Sequence, residues 1–299
     1  MNLNTDSLPL LFKENILKQY PNNYELIYNG CCKKVSSFRI NRLKSTAIKC
    51  LKSFAENGIE LNKSGFSDDV FYTNNNINLI KDTIEFKNGE IYLQSLSSCL
   101  PVILLDPKPN EDILDMAAAP GGKTTQIASL TGGKANITAC ERNPMRAEKL
   151  KHNLNVQGVK NVNVITKDAR QLEDWFKFDK ILLDAPCSGS GTLITDNNNS
   201  YFTEKLINNT VKTQKALMEK AVKLLKKDGI LVYSTCSILK HENEDIISKY
   251  IEKGILEVVE IDSTLLPSEP QLPSTINGVV TVCPNELYEG FFVSVLKKK

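Results

Sequence analysis

From residue 110 onward, short apolar runs alternate with longer stretches of helical periodicity. Residues 112–116 (DILDM), 136–141 (NITACE), 161–166 (NVNVIT), 180–184 (KILLD) and 229–234 (GILVYS) are five or six residues long, with apolar residues on both alternating positions. Strands covered on both faces read this way, as in a parallel sheet. Between them, residues 123–130, 144–157 and about 203–227 carry helical spacing. The alternation predicts βαβ units and a doubly wound α/β sheet. A helix over residues 241–253 follows, and residues 256–261 (LEVVEI) and 291–296 (FFVSVL) read as a closing β pair, which makes seven strands.

The first hundred residues are patterned differently. Residues 6–19 predict a short amphipathic helix with Pro21 beyond its end, and residues 45–57 predict a second, with Ile48, Leu51 and Phe54 on its apolar face and Gly58 after it. Short strands are expected near residues 70–72 and 90–93, separated by Asn-rich turns. Pro101, Pro107 and Pro109 mark a boundary near residue 105. The expected organisation is a small N-terminal α/β subdomain over 1–105 and a catalytic domain over 106–299.

Composition narrows the chemistry. Lys plus Arg less Asp plus Glu is 37 − 35 = +2, so net charge alone does not point to nucleic acid. Two histidines against eight cysteines leave little room for a histidine-based zinc site or a histidine-dependent triad. The cysteines form no C-x-x-C pair, and no metal is expected. With neither a signal pattern nor an apolar run of membrane length, the chain is expected in the cytoplasm, with its thiols reduced.

Ligands of doubly wound sheets sit at the carboxyl ends of the strands, close to where strand order reverses. Asp115, Glu141, Asp168 and Asp184 all fall at or just beyond strand ends. After the first strand runs Ala117-Ala118-Ala119-Pro120-Gly121-Gly122-Lys123, whose small residues let a ligand approach the backbone before a helix begins. Glu141 lies at the usual distance for a carboxylate that accepts ribose hydroxyls. Gly122-Lys123-Thr124 ends like a phosphate-binding loop, but Ala117 stands where its first glycine belongs. A nucleoside with a zwitterionic tail, such as S-adenosylmethionine, suits four carboxylates better than a triphosphate. Glu141 would hold its ribose and Asp168 its adenine amino group. Two thiols, Cys187 and Cys236, occupy turns after neighbouring strands, where a purely structural cysteine is out of place.

DMAAAPGGKT (115–124), LLDAPCSGSG (182–191) and YSTCS (233–237), in this order and spacing, resemble the Sun/Fmu-type family of RNA 5-methylcytosine methyltransferases. SFRINRLK (37–44), IYLQSLSSCLP (91–101) and EGFFVSVL (289–296) match its flanking segments. The resemblance implies a class I, Rossmann-like methyltransferase fold and S-adenosylmethionine as methyl donor. It further implies that Cys236 is the nucleophile, that Cys187 assists product release, and that Asp184 holds the base edge. Residues 117–123, Glu141, Arg146, Asp168 and Asp184 would surround the cofactor. RNA is the implied partner, ribosomal RNA ahead of transfer RNA, with Lys33, Lys34, Arg39, Arg42 and Lys44 as the candidate phosphate grip; a monomer is expected. A P-loop NTPase and a non-catalytic RNA-binding or assembly factor are the rival readings.

Overall fold

A computed structural model describes residues 7–195, 197–266 and 270–299. Two sheets organise it. The smaller is antiparallel, in the order β2 (Asn62–Lys63), β3 (Val70–Thr73), β1 (Ser36–Ile40), β4 (Ile91–Leu93). The larger contains β5 (Asp112–Asp115), β6 (Asn136–Cys140), β7 (Val162–Ile165), β8 (Phe178–Asp184), β9 (Leu225–Thr235), β10 (Leu256–Val258), β11 (Gln271–Leu272), β12 (Val280–Val282) and β13 (Phe291–Lys298). Its order is β11-β12-β13-β9-β8-β5-β6-β7, with β10 pairing β13 off that path.

Strands β7, β6, β5, β8 and β9 run parallel, whereas β13 and its neighbours run antiparallel. The chain winds outward from β5 through β6 to β7, then returns to the other side of β5 to place β8 and β9. The reversal point is therefore the β5/β8 pair, whose last residues are Asp115 and Asp184.

Period-two alternation builds the layers. Leu114, Ile181, Leu183, Leu231 and Tyr233 face one core with the helices Glu204–Leu224 and Glu244–Glu252. Ile113, Leu182, Val232 and Val293 face the other, with Ile127 and the helix Leu96–Leu105. That helix keeps Pro101 inside it and buries eight of its ten residues. The boundary expected near residue 105 thus falls at the end of a helix already packed on the large sheet.

Several expectations change in detail. The expected seven-stranded sheet has nine strands among the described residues, because β11 and β12 add an edge. Residues 256–261 do pair with the last strand, but only Leu256–Val258 is strand, and β12 occupies the neighbouring length of β13. The first helix runs Leu10–Gln19; its expected start at Asp6 lies outside the described residues. In the helix Ala47–Glu56 the buried side chains are Cys50 and Phe54, while Ile48 is 83% exposed. Cys50 completes an i, i+4 pair with Phe54, which turns the apolar face away from Ile48 and Leu51. Phe54 stacks on Phe38 of β1 at 5.2 Å between ring centroids. Such a pair adds about 0.5–1.5 kcal/mol to its area burial.

Candidate active site

The turn after β5 depends on glycine. Gly121 has φ 108°, and a Cβ there would lie 2.9 Å from Leu150 Cδ1. The helix Gly122–Leu130 starts directly after it. Thr124 donates to Asp115 Oδ2 at 2.7 Å, tying that helix to the end of β5. Asp115 is 1% exposed, and burial, reinforced by nearby Asp184, raises its pKa from 3.8 to about 6.

Lys123 turns inward. Its ammonium contacts Asp184 Oδ2 at 2.7 Å and donates to Ser98 Oγ at 2.8 Å. Burial works against its charge, yet Asp184, Asp115 and Cys236 together hold its pKa above the ordinary value. A lysine engaged in this way is not free to reach phosphates, which removes the main support for a P-loop. Asp184 also accepts from Ser234 Oγ at 2.8 Å, a link across the β8/β9 pair.

The two thiols meet. Cys187 follows β8 through Ala185-Pro186, Cys236 follows Thr235 of β9, and their Sγ atoms lie 2.9 Å apart. The bond to Cys236 and burial push the Cys187 thiol well above the ordinary cysteine range, so it stays protonated and can donate to the Cys236 sulfur.

Two cavities adjoin this centre. One, of about 240 Å³, reaches from Glu141, Arg146 and Asp168 past Met116 and Leu217 to Asp184 and the thiols. The other, of about 440 Å³, is bounded by Tyr92, Ser98, Lys123, Asp184, Cys236 and Phe291. Ala117, Ala119, Asp184, Ala185 and Cys236 line both, so each cavity opens on the same thiol. The first has carboxylates at both ends and an apolar middle. That donor set fits a nucleoside with an amino-acid tail.

Glu141 is 4% exposed and accepts from the Asn143 amide at 2.8 Å. Arg146 lies 3.5 Å from Glu141 and donates to the Ala119 carbonyl at 2.8 Å, so it staples the glycine loop to Glu141. Asp168 is held by Arg170 through bonds of 2.9 and 2.6 Å to its two oxygens, and this bonding lowers its pKa. Ala118 and Ala119 are buried against Leu150 and Leu154, with Pro120 and Gly122 on the wall of the second cavity.

The basic grip is largely dismantled. Arg39 is 2% exposed: Nε donates to Gln94 at 2.9 Å, Nη2 donates to the Gly122 carbonyl at 2.8 Å and to Thr125 at 2.6 Å, and the guanidinium stacks on Tyr92. Arg42 pairs with Asp69, Lys44 donates to the carbonyls of Asn88 and Val156, and Lys34 donates to those of Gly30 and Cys32. Arg39 and Lys44 bond across the junction of the small sheet with the large one, whereas Arg42 pairs with an acid beside β3 and Lys34 bonds carbonyls two and four residues before it.

Glu242, Ser98 and Ser234 take part in the site without having been singled out from the sequence. Glu242 sits in a polar run, KHENED, that reads as a solvated helix start. Ser98, half-buried, lies in the matched segment IYLQSLSSCLP, where nothing local distinguishes it from Ser95 and Ser97.

Residues 102–297 match the family described as 16S rRNA methyltransferase RsmB/F. The chain belongs to this family. It is 39% identical to a tRNA (cytosine(72)-C(5))-methyltransferase of Pyrococcus horikoshii over 71% of its own length and 54% of the relative's. It is 37% identical to ribosomal RNA small subunit methyltransferase F of Shewanella sediminis over 88% of its length and 57% of the relative's. The chain therefore spans little more than half of these curated relatives. The crystal structure of NSun6 from Pyrococcus horikoshii with SFG superposes with a TM-score of 0.83 at 25% identity, covering 97% of this chain and 98% of that one. Among the described residues no helix is long and apolar enough to cross a membrane, and no group of three metal-ligating side chains occurs.

Proposed function

We propose that this chain methylates C5 of a cytidine in RNA, with S-adenosylmethionine as donor. The observation that carries the reading is the contact between Cys187 and Cys236 at 2.9 Å, with Cys236 lining both cavities and Cys187 the first. The first cavity would take the cofactor, with Glu141 at the ribose, Asp168 and Arg170 near the adenine, and Arg146 and residues 117–123 framing it. Bound there, S-adenosylmethionine supplies the methyl group. The second cavity would take the target base.

Cytosine C5 is a poor nucleophile until a thiolate adds to C6. Cys236 suits that addition. Its sulfur bonds to C6, the ring electrons move toward C5, and C5 then takes the methyl group. Asp184, fixed by Lys123 and Ser234, would hydrogen-bond the base edge and offset charge developing near N3 and N4. Loss of the C5 proton lets the sulfur–C6 bond break and restores the aromatic ring. Cys187, kept as a thiol, stands beside the departing sulfur and assists this release.

Ribosomal RNA is the favoured substrate and transfer RNA the next; the target base would be flipped into the cleft. Residues 106–299 would carry the chemistry and residues 1–105 would contact RNA, with the protein acting as a monomer in the cytoplasm. Methyl transfer from labelled S-adenosylmethionine to total RNA tests the reading. Cys236→Ala is expected to abolish turnover, and Cys187→Ala to accumulate an RNA adduct that survives a denaturing gel. Full activity in the Cys236 variant would refute it.

A further inference from the structure

A carboxylate that this chemistry does not use lies between the two cysteine turns. Glu242, at the end of the short 3-10 helix Lys240–Glu242, is 0% exposed. One oxygen accepts from the Ser188 amide at 2.8 Å and from Thr210 Oγ1 at 2.7 Å. The other accepts from Ser188 Oγ at 2.6 Å and Ser237 Oγ at 2.5 Å. Gln214 adds a longer bond at 3.4 Å. Ser188 follows Cys187 and Ser237 follows Cys236, so one side chain ties both turns one residue beyond each thiol. Ser190 and Ser237 join the same turns again at 2.8 Å.

All these partners are hydroxyls and amides. A buried charge held only by neutral donors carries a large desolvation cost. A neutral side chain would tie the turns at lower cost, so the charge itself calls for a role. We propose that Glu242 is the positioning residue of the thiol pair, holding Cys187 and Cys236 in contact and keeping their shared proton on Cys187. This rests on the thiol chemistry proposed above. After the bond to Cys236 and burial, the negative charge of Glu242 adds to the rise in the Cys187 pKa. The other ionisable groups facing the pair are Tyr233 near Cys187, Lys123 and Tyr201 near Cys236, and Asp184, which shares the cavity wall with both thiols.

Glu242→Gln in the full chain tests it, with S-adenosylmethionine titration to check the cofactor site. Alkylation of Cys187 and Cys236 by iodoacetamide is followed by mass spectrometry across pH. Turnover is expected to fall about a hundredfold, with KM for RNA unchanged. The midpoint for Cys187 alkylation is expected to move down by about one pH unit, because a negative charge that favoured the protonated thiol has gone. An unmoved midpoint overturns the proposal even if turnover falls, since a structural tie alone would give that result; unchanged turnover also overturns it. Should the amide fail to fold, Glu242→Asp keeps the charge and shortens the reach. Reduced turnover with the Cys187 midpoint in place is then expected, and normal turnover overturns the idea. If Cys236→Ala retains methyl transfer, the thiol chemistry itself falls, and the midpoint alone decides the role of Glu242.

Discussion

Asp115 offers a test of the site's electrostatics that needs no RNA. Its pKa rises from 3.8 to about 6 because the side chain is buried at the β5/β8 reversal point, with Asp184 nearby. Each tenfold change in a proton equilibrium is worth about 1.36 kcal/mol, so the charged form costs the folded state about 3 kcal/mol. The direction follows from proton counting. Between about pH 4 and pH 6 the folded protein holds a proton that the unfolded chain has released, so stability falls as pH rises through that window. Above it the full cost is present, and below it the cost vanishes. Asp115→Asn removes the charge and keeps a side chain that can still bond Thr124, whose hydroxyl can accept as readily as donate. Urea unfolding of both proteins across pH should show the Asn variant gaining about 3 kcal/mol on the wild type between pH 4 and pH 7. Any fixed offset from the lost attraction to Lys123 leaves that gain intact. A difference that stays flat with pH would refute the reasoning.

Other substitutions probe the supports of the site. Arg39→Met leaves the Gln94 side-chain oxygen without its donor and removes the bonds to Gly122 and Thr125, and should lower unfolding free energy by about 1–3 kcal/mol, read by urea denaturation. Glu141→Gln should weaken S-adenosylmethionine binding about tenfold or more by calorimetry while leaving the melting temperature nearly unchanged, because the proposed charge-assisted bond to the ribose is lost. Gly191→Ala would set a Cβ 1.8 Å from the Gly290 carbonyl oxygen, so the expected result is loss of the cooperative melt or of soluble protein.

The parallel strands and the thiol turns were legible because both rest on local pattern. Runs such as KILLD and GILVYS are apolar along most of their length, and motif residues at their carboxyl ends can project only toward the cleft. What escaped was decided by distant partners. Strand β1 reads as polar through Ser36, Ser37 and Arg39, yet Ser37 bonds Gln94 and Arg39 reaches residues 83 and 86 positions away. The same tertiary demand ties Lys44 to the Val156 carbonyl and Arg42 to Asp69, whereas Lys34 bonds carbonyls only two and four residues away. Glu242 was missed for a related reason. Its five acceptor contacts come from residues 5 to 54 positions away, so nothing in KHENED marks it as buried. Short strands such as β11 and β12, with two and three residues, carry too little pattern to announce themselves.

The contact between Cys187 and Cys236 also sets the protein's redox chemistry. Two thiols whose sulfurs already touch are one two-electron oxidation from a disulfide, with peroxide as oxidant and water as the other product. Such a bridge would occupy the proposed nucleophile, Cys236, while leaving Glu141 and the glycine loop as they are. Preparations aged in air should therefore bind cofactor normally, transfer nothing, and recover on treatment with dithiothreitol.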